Sequence, residues 1–210
     1  MVAAPDKPTV KELLSRSPDE IIDYLGGIYE NSRWVAEGVV KRPTETIATI
    51  SELSKEMKCV VEQSAAETKL ELLRSHPDLC HRVGKLDELT KESQEEQGRA
   101  GLQSLTETEL SKFTELNTMY SEKFGFPFIL AVRNATKHTV LAALEGRVTN
   151  TVEDELVCAI TQVHKIAWMR LLACIDTGDA SGFLTCHVLD TANGCPGENI
   201  DAEVRVCACA

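Results

Sequence analysis

The strongest constraint in this 210-residue chain is a four-residue signal that recurs along it. Thr9-Val10-Lys11-Glu12, Ser17-Pro18-Asp19-Glu20 and Thr106-Glu107-Thr108-Glu109 each place a hydroxyl three residues ahead of a carboxylate. In a capping box the hydroxyl accepts from the backbone N–H of the third helical residue, and the carboxylate reaches back to the N–H of the cap. Two donors that a helix cannot satisfy internally are thereby satisfied, so each box marks a helix start. Pro18 stands at a first helical position, where its missing N–H costs nothing. Apolar residues follow at helical spacing: Ile21, Ile22, Leu25, Ile28 and Tyr29 after the second box, and Leu110, Phe113, Leu116, Met119 and Tyr120 after the third. Pro43 marks a further start, continued by Ile47, Ile50, Leu53, Met57, Val60 and Val61. Leu70, Leu72 and Leu73 run up to Ser75-His76-Pro77, where the proline disfavours helical geometry for His76 and stops the helix. The polar stretch Thr90 to Ala100, closed by Gly101, reads as another helix, short helices flank Leu141–Arg147, and a last long one runs from near Thr151 to about Cys174.

Two segments break this pattern. Phe124-Gly125-Phe126-Pro127-Phe128-Ile129-Leu130-Ala131-Val132 sets glycine and proline among aromatics, which fits a buried extended segment. From Ile175 to Gly182 the chain becomes small and polar. Residues 183 to 210 then alternate, with Asn193-Gly194 and Pro196-Gly197 as turn signals, and read as strand, turn, strand. The expected organisation is a tail over residues 1–8, a helical domain over 9–175, a linker over 176–182, and a β-forming stub over 183–210. The fold class is mostly α. Two strands alone do not make a stable unit, so the stub is the start of a further domain or an edge that pairs elsewhere.

Hydrophobic residues at 43% and charged residues at 26% are ordinary for a globular chain. With 22 basic against 33 acidic residues the net charge is −11, which argues against nucleic acid and anionic membrane as partners. The uncharged apolar runs fall far short of the ~20 residues that span a bilayer, and Met1 to Lys7 contains no apolar signal core, so an intracellular protein with free thiols is expected. Of the eight cysteines, Cys186, Cys195, Cys207 and Cys209 crowd the last 35 residues. Their Cys-Ala-Cys ending is too short to define a metal or redox site.

His76, beside a helix end and before a proline, either caps that helix or serves chemistry. Ser93, Glu96, Gln97 and Ala100 share one face of the expected Thr90–Ala100 helix, a small polar face that is a solvated surface when read alone. Arg170 is the sharper outlier. On the last helix Leu156, Ile160, Val163, Ala167, Leu171 and Cys174 form one apolar stripe, and Arg170 falls within it. A guanidinium there needs a partner, whether a structural carboxylate or a substrate oxygen held by a bidentate fork. His76 and His81 lack further ligands at recognisable spacing, so no metal site is expected. There is no Walker loop and no GxGxxG, so no nucleotide cofactor is expected.

Ser75-His76-Pro77-Asp78-Leu79, Leu89-Thr90-Lys91-Glu92-Ser93-Gln94-Glu95-Glu96-Gln97, Ala100-Gly101-Leu102, Leu116-Asn117 with Tyr120, and Phe124 to Ile129 resemble the OHCU decarboxylases. These act on 2-oxo-4-hydroxy-4-carboxy-5-ureidoimidazoline. The resemblance covers about residues 9 to 175 and includes Trp34 and Arg42-Pro43; Thr44 departs from the phenylalanine often found there. It implies an all-helical domain, a cofactor-independent carboxy-lyase acting on a small molecule to give (S)-allantoin in urate degradation, and a homodimer. It makes His76 and Glu96 catalytic. Pro77, Ser93, Gln94, Glu95, Gln97, Arg170 and the run Phe128, Ile129, Leu130, Ala131 and Val132 become substrate-binding. No cofactor and no metal are implied. Relatives are often peroxisomal, although Ala208-Cys209-Ala210 is not a peroxisomal address.

Leu184-Thr185-Cys186-His187-Val188-Leu189-Asp190-Thr191-Ala192 resembles the first strand of the transthyretin-like 5-hydroxyisourate hydrolases, which are fused to the decarboxylase in bifunctional allantoin synthases. His187 matches that family's histidine, while its later motifs have no positions here, so an incomplete second site is expected. The competing reading is a non-catalytic interaction protein that offers its C-terminal strand to a partner.

Overall fold

The computed structural model describes residues 7–79, 105–133 and 135–177, together with two short strands beyond them. Among the described residues there are eight helices: α1 (Val10–Leu14), α2 (Pro18–Leu25), α3 (Trp34–Val40), α4 (Ile50–Glu62), α5 (Ala66–Arg74), α6 (Glu107–Phe124), α7 (Lys137–Arg147) and α8 (Val152–Cys174). The fold is mostly α. Thr9, Ser17 and Thr106 cap α1, α2 and α6 through complete capping boxes with Glu12, Glu20 and Glu109. A fourth box, Thr49 with Glu52, starts α4 several residues after Pro43. α2 stops at Leu25, ahead of Ile28 and Tyr29, because Gly26-Gly27 follows and the chain turns there. Leu141–Arg147 belongs to a single helix begun at Lys137, rather than to short flanking helices. The expected Thr90–Ala100 helix lies outside the described residues.

α8 is the hub, packing against α4, α5 and α6, while α3 sits between α2 and α4 and α6 packs on α7. By length and apolarity α8 could cross a membrane. Its apolar stripe is instead spent on the core, with Ala159, Ile160, Val163, Ala167 and Leu171 buried against Leu13, Leu53, Met57, Val61 and Leu73 in one cluster. Fully burying a leucine or methionine stabilises by about 1.5–3 kcal/mol, so these positions dominate the stability of the bundle. Where α3 crosses α4, Gly38 permits the approach: a Cβ there would lie 2.5 Å from Val60 Cγ1.

The aromatic run also obeys its sequence. Gly125 ends α6 in the left-handed conformation at φ 73°, which glycine adopts without a Cβ clash. The turn lets Phe124, Phe126 and Phe128 surround Tyr120, with ring centroids 4.6, 6.0 and 5.2 Å away. From Phe126 to Val132 the chain is non-helical, with Phe126, Phe128, Ile129, Leu130 and Val132 buried.

The two ends of the helical region meet. Thr9 and Asp176 form a parallel bridge, the Asp176 N–H donates to the Pro8 carbonyl at 3.0 Å, and Tyr24 Oη donates to the Cys174 carbonyl at 2.7 Å. Beyond them β1 (Leu189–Asp190) pairs antiparallel with β2 (Cys195–Pro196), Leu189 opposite Pro196 and Asp190 opposite Cys195. Cys59, Cys158 and Cys174 are free thiols.

Candidate active site

Three chain segments converge at His76. It follows the C-cap of α5, Ser75, and its N–H donates to the Leu73 carbonyl, so the helix ends where Pro77 requires. The side chain turns inward and is only 8% exposed, which is not the solvated cap that a lone histidine at a helix end suggests. Its Nδ1 lies 2.9 Å from the Leu72 carbonyl. A carbonyl only accepts, so the proton sits on Nδ1 and Nε2 carries the lone pair. Burial pushes the imidazole pKa below its ordinary value; the Leu72 carbonyl and the Glu30 charge oppose that shift, and the Arg170 charge adds to it. The resting side chain is a neutral base with a fixed tautomer.

The second segment is the connection after α2. Asn31 adopts a left-handed φ of 47°, and its Nδ2 donates to the Ser75 carbonyl at 3.1 Å. Ser75 Oγ in turn donates to the Glu30 carbonyl at 3.0 Å. Glu30 is buried, and its Oε2 lies 2.7 Å from Arg170 Nη2. The third segment is α8, which supplies Arg170. Its Nη1 also donates to the Gly27 carbonyl at 3.3 Å. The arginine that stood out on the apolar stripe therefore has a buried carboxylate partner, and the pair lies close enough to His76 for both charges to act on it.

The run Phe128 to Val132 follows Gly125, whose carbonyl accepts from Arg74 Nε near the end of α5 at 3.3 Å. Two buried side chains hold its backbone. Arg147 Nη1 donates to the Ile129 carbonyl at 2.7 Å, and Gln162 Oε1 accepts from the Ala131 N–H at 3.2 Å. Arg147 is held in turn by Glu155, whose Oε1 accepts from Arg147 Nε at 3.0 Å and Nη2 at 2.5 Å and from Tyr120 Oη. Asn150 Nδ2 donates to Glu155 Oε2 at 2.7 Å. The guanidinium lies over the Phe128 ring, 4.7 Å from its centroid. Phe128, Ile129, Leu130 and Val132 are buried, and Ala131 and Pro77 are half-buried. After Pro77, Asp78 accepts from Asn117 Nδ2 on α6 through both carboxylate oxygens, at 3.0 and 2.9 Å.

His76 and Arg170 thus share one neighbourhood, and Phe128 to Val132 form a non-helical segment braced by Arg147 and Gln162. Ser93, Gln94, Glu95, Glu96 and Gln97, and His187 of the second motif, lie outside the described residues. Sequence reasoning missed Glu30, Arg147, Glu155 and Gln162. Glu155 and Gln162 were detectable by the argument that found Arg170. They fall on the α8 face of Ala159, Val163 and Ala167 and are as buried as that face. Glu30 gave no such signal, because it sits in a turn with no periodicity to violate. No group of three or more potential metal-ligating side chains occurs among the described residues.

The family model for OHCU decarboxylase matches residues 15–172. The 2-oxo-4-hydroxy-4-carboxy-5-ureidoimidazoline decarboxylase of Haloferax volcanii is 39% identical over 163 residues, covering 78% of this chain and 94% of that protein. The uric acid degradation bifunctional protein of Bacillus sp. TB-90 is 37% identical over 162 residues, covering 77% of this chain but 31% of its own length. Among solved structures, a crystal structure of (S)-allantoin synthase is 56% identical with a TM-score of 0.71, covering 90% of this chain; the chain spans 62% of that protein. With the matched span running from the end of α1 into α8 and enclosing His76 and Arg170, the chain belongs to the OHCU decarboxylase family.

Proposed function

We propose that the chain decarboxylates 2-oxo-4-hydroxy-4-carboxy-5-ureidoimidazoline to (S)-allantoin, as a carboxy-lyase of urate degradation. The observation that carries this reading is the buried, neutral, tautomer-fixed His76 beside the Glu30–Arg170 pair. In this reaction the bond between C4 and its carboxylate breaks and CO2 leaves. The electron pair stays on the ring, shared with the adjacent imine. A neutral imidazole can take the proton of the C4 hydroxyl, which becomes a carbonyl, and return it to the neighbouring carbon from one face. The remaining ring charge is quenched by one proton from solvent. That single-face delivery sets the S configuration, and His76 Nε2 is the base that fits it. Glu96 orients the histidine or the substrate hydroxyl, with Ser93, Gln94, Glu95 and Gln97 beside it. Arg170 donates to a substrate oxygen, and Pro77 with Phe128 to Val132 walls the pocket.

The assay is circular dichroism while uricase converts urate in the presence of the purified chain, with and without a separate hydroxyisourate hydrolase. Rapid growth of the (S)-allantoin signal only with the hydrolase is expected. A rapid signal without it would show that residues 183–210 complete a hydrolase. No stereospecific acceleration in either case would refute the decarboxylase reading and leave an interaction protein in its place. We further assign a homodimeric state, which sedimentation tests directly, and peroxisomal residence, which imaging of a tagged natural protein tests.

A further inference from the structure

An arginine that receives an anionic substrate is usually left with its charge available. Arg170 is not: a carboxylate that is itself buried already faces it at 2.7 Å, and the Gly27 carbonyl takes a second N–H. Glu30 is held on both its backbone and its side chain. Its carbonyl accepts from Ser75 Oγ, next to His76, and its carboxylate meets α8. A guanidinium fork fixed by Glu30 and Gly27 is held in one orientation while its net charge is offset.

We infer that Glu30 is a positioning residue for the proposed decarboxylation. It fixes the Arg170 fork and offsets its charge, so that Arg170 meets substrate as an oriented hydrogen-bond donor rather than as a bare cation. The inference rests on the reading of this site as a decarboxylase. The chemistry gives the reason. A bare cation in this pocket would bind the substrate carboxylate most strongly before reaction, when its charge is localised, and would lose that interaction as CO2 departs. Binding energy of that kind stabilises the ground state and slows the step. A neutralised, rigid donor holds a ureido or ring oxygen equally well before and after bond cleavage, or better as charge builds on the ring.

The test is Glu30→Gln in the full chain, with kcat and KM measured alongside competitive inhibition by inorganic phosphate. The expected result is a fall in kcat of about tenfold or more with KM unchanged or lower, and inhibition by phosphate strengthened several-fold. A residue serving only to hold the fold would not raise affinity for a simple anion. Unchanged phosphate inhibition, or kcat and KM both within about twofold of the parent, would overturn the inference. If Glu30→Gln does not fold, Glu30→Asp keeps the charge but withdraws the oxygens from Arg170. It should lose kcat without gaining phosphate affinity, and full activity in that variant would equally overturn the idea. If the parent chain shows no decarboxylation at all, the functional reading has failed by itself. The thermal shift by phosphate, expected for Glu30→Gln and not for the parent, then decides the role of Glu30 alone.

Discussion

Replacing Glu155 by alanine removes the acceptor from four donors at once: Arg147 Nε and Nη2, Tyr120 Oη and Asn150 Nδ2. The ion pair it breaks is 0% exposed on the glutamate side and 1% on the arginine side, so water cannot replace the lost partner without opening the core. Removing one member of a buried pair costs about 3–5 kcal/mol, mostly because the other charge stays buried and unpaired. For a chain of this size that corresponds to a melting temperature lower by about 6–20 °C. Urea and thermal unfolding followed by far-ultraviolet circular dichroism would measure it. Glu155→Gln, which keeps the volume and part of the acceptor capacity, should cost less. The double variant Arg147→Met/Glu155→Leu, which leaves no buried charge, should recover much of the loss. A Glu155→Ala variant within about 1 kcal/mol of the parent would refute the reasoning, as would a double variant less stable than the single one. Arg147 also holds the Ile129 carbonyl, so milder variants of this pair should raise KM before they unfold the chain.

The remaining predictions concern separate parts of the molecule. His76→Asn should lower decarboxylation by about 10²–10⁴-fold while the helical spectrum stays intact; full activity in a folded variant would exclude the proposed base. Because burial lowers the His76 pKa, the neutral imidazole persists below its ordinary range, and the acidic limb of kcat/KM should fall below about pH 6.5; a limb centred above 7 would contradict this. Gly38→Ala should destabilise by about 1–2 kcal/mol despite alanine's better helix propensity, because the new Cβ meets Val60; combination with Val60→Ala should restore stability, and a stabilising single variant would count against the packing described. Glu109 is held at about 2 by Lys137 and by the Thr106 cap. Its folded pKa lies below the unfolded one, so its contribution is present above about pH 4.5 and lost as pH falls toward 2. Urea titrations across that range should show Lys137→Met flattening the dependence, and an unchanged slope would reject it.

Most of the helical framework was written locally. Capping boxes at Thr9, Ser17 and Thr106 and the cap at Thr151 act through their own neighbouring residues, so they could be read without knowing the fold. Arg170 was legible because a charge on an apolar stripe contradicts its surroundings. Its partner was not, since Glu30 lies 140 residues earlier in a turn. Likewise nothing local announces that Arg147 would reach the Ile129 carbonyl. The start of α3, whose cap residue Arg33 makes no side-chain cap bond, had no signal to detect, and the overextension of α2 came from counting Ile28 and Tyr29 as helical when both are buried by the turn that follows. Roles assigned through resemblance, such as that of Glu96, depend on assembly across the fold, which local chemistry does not encode.

The bridge between Thr9 and Asp176 has an architectural consequence. The chain enters and leaves the bundle at a single seam, where Pro8 and Thr9 meet Asp176. An appended domain can then be gained, lost or exchanged without threading a helix differently or exposing the core. The same seam makes the bundle a candidate for circular permutation, with the old ends joined by a short loop and new ones opened in a connection such as Val148 to Asn150, between α7 and α8.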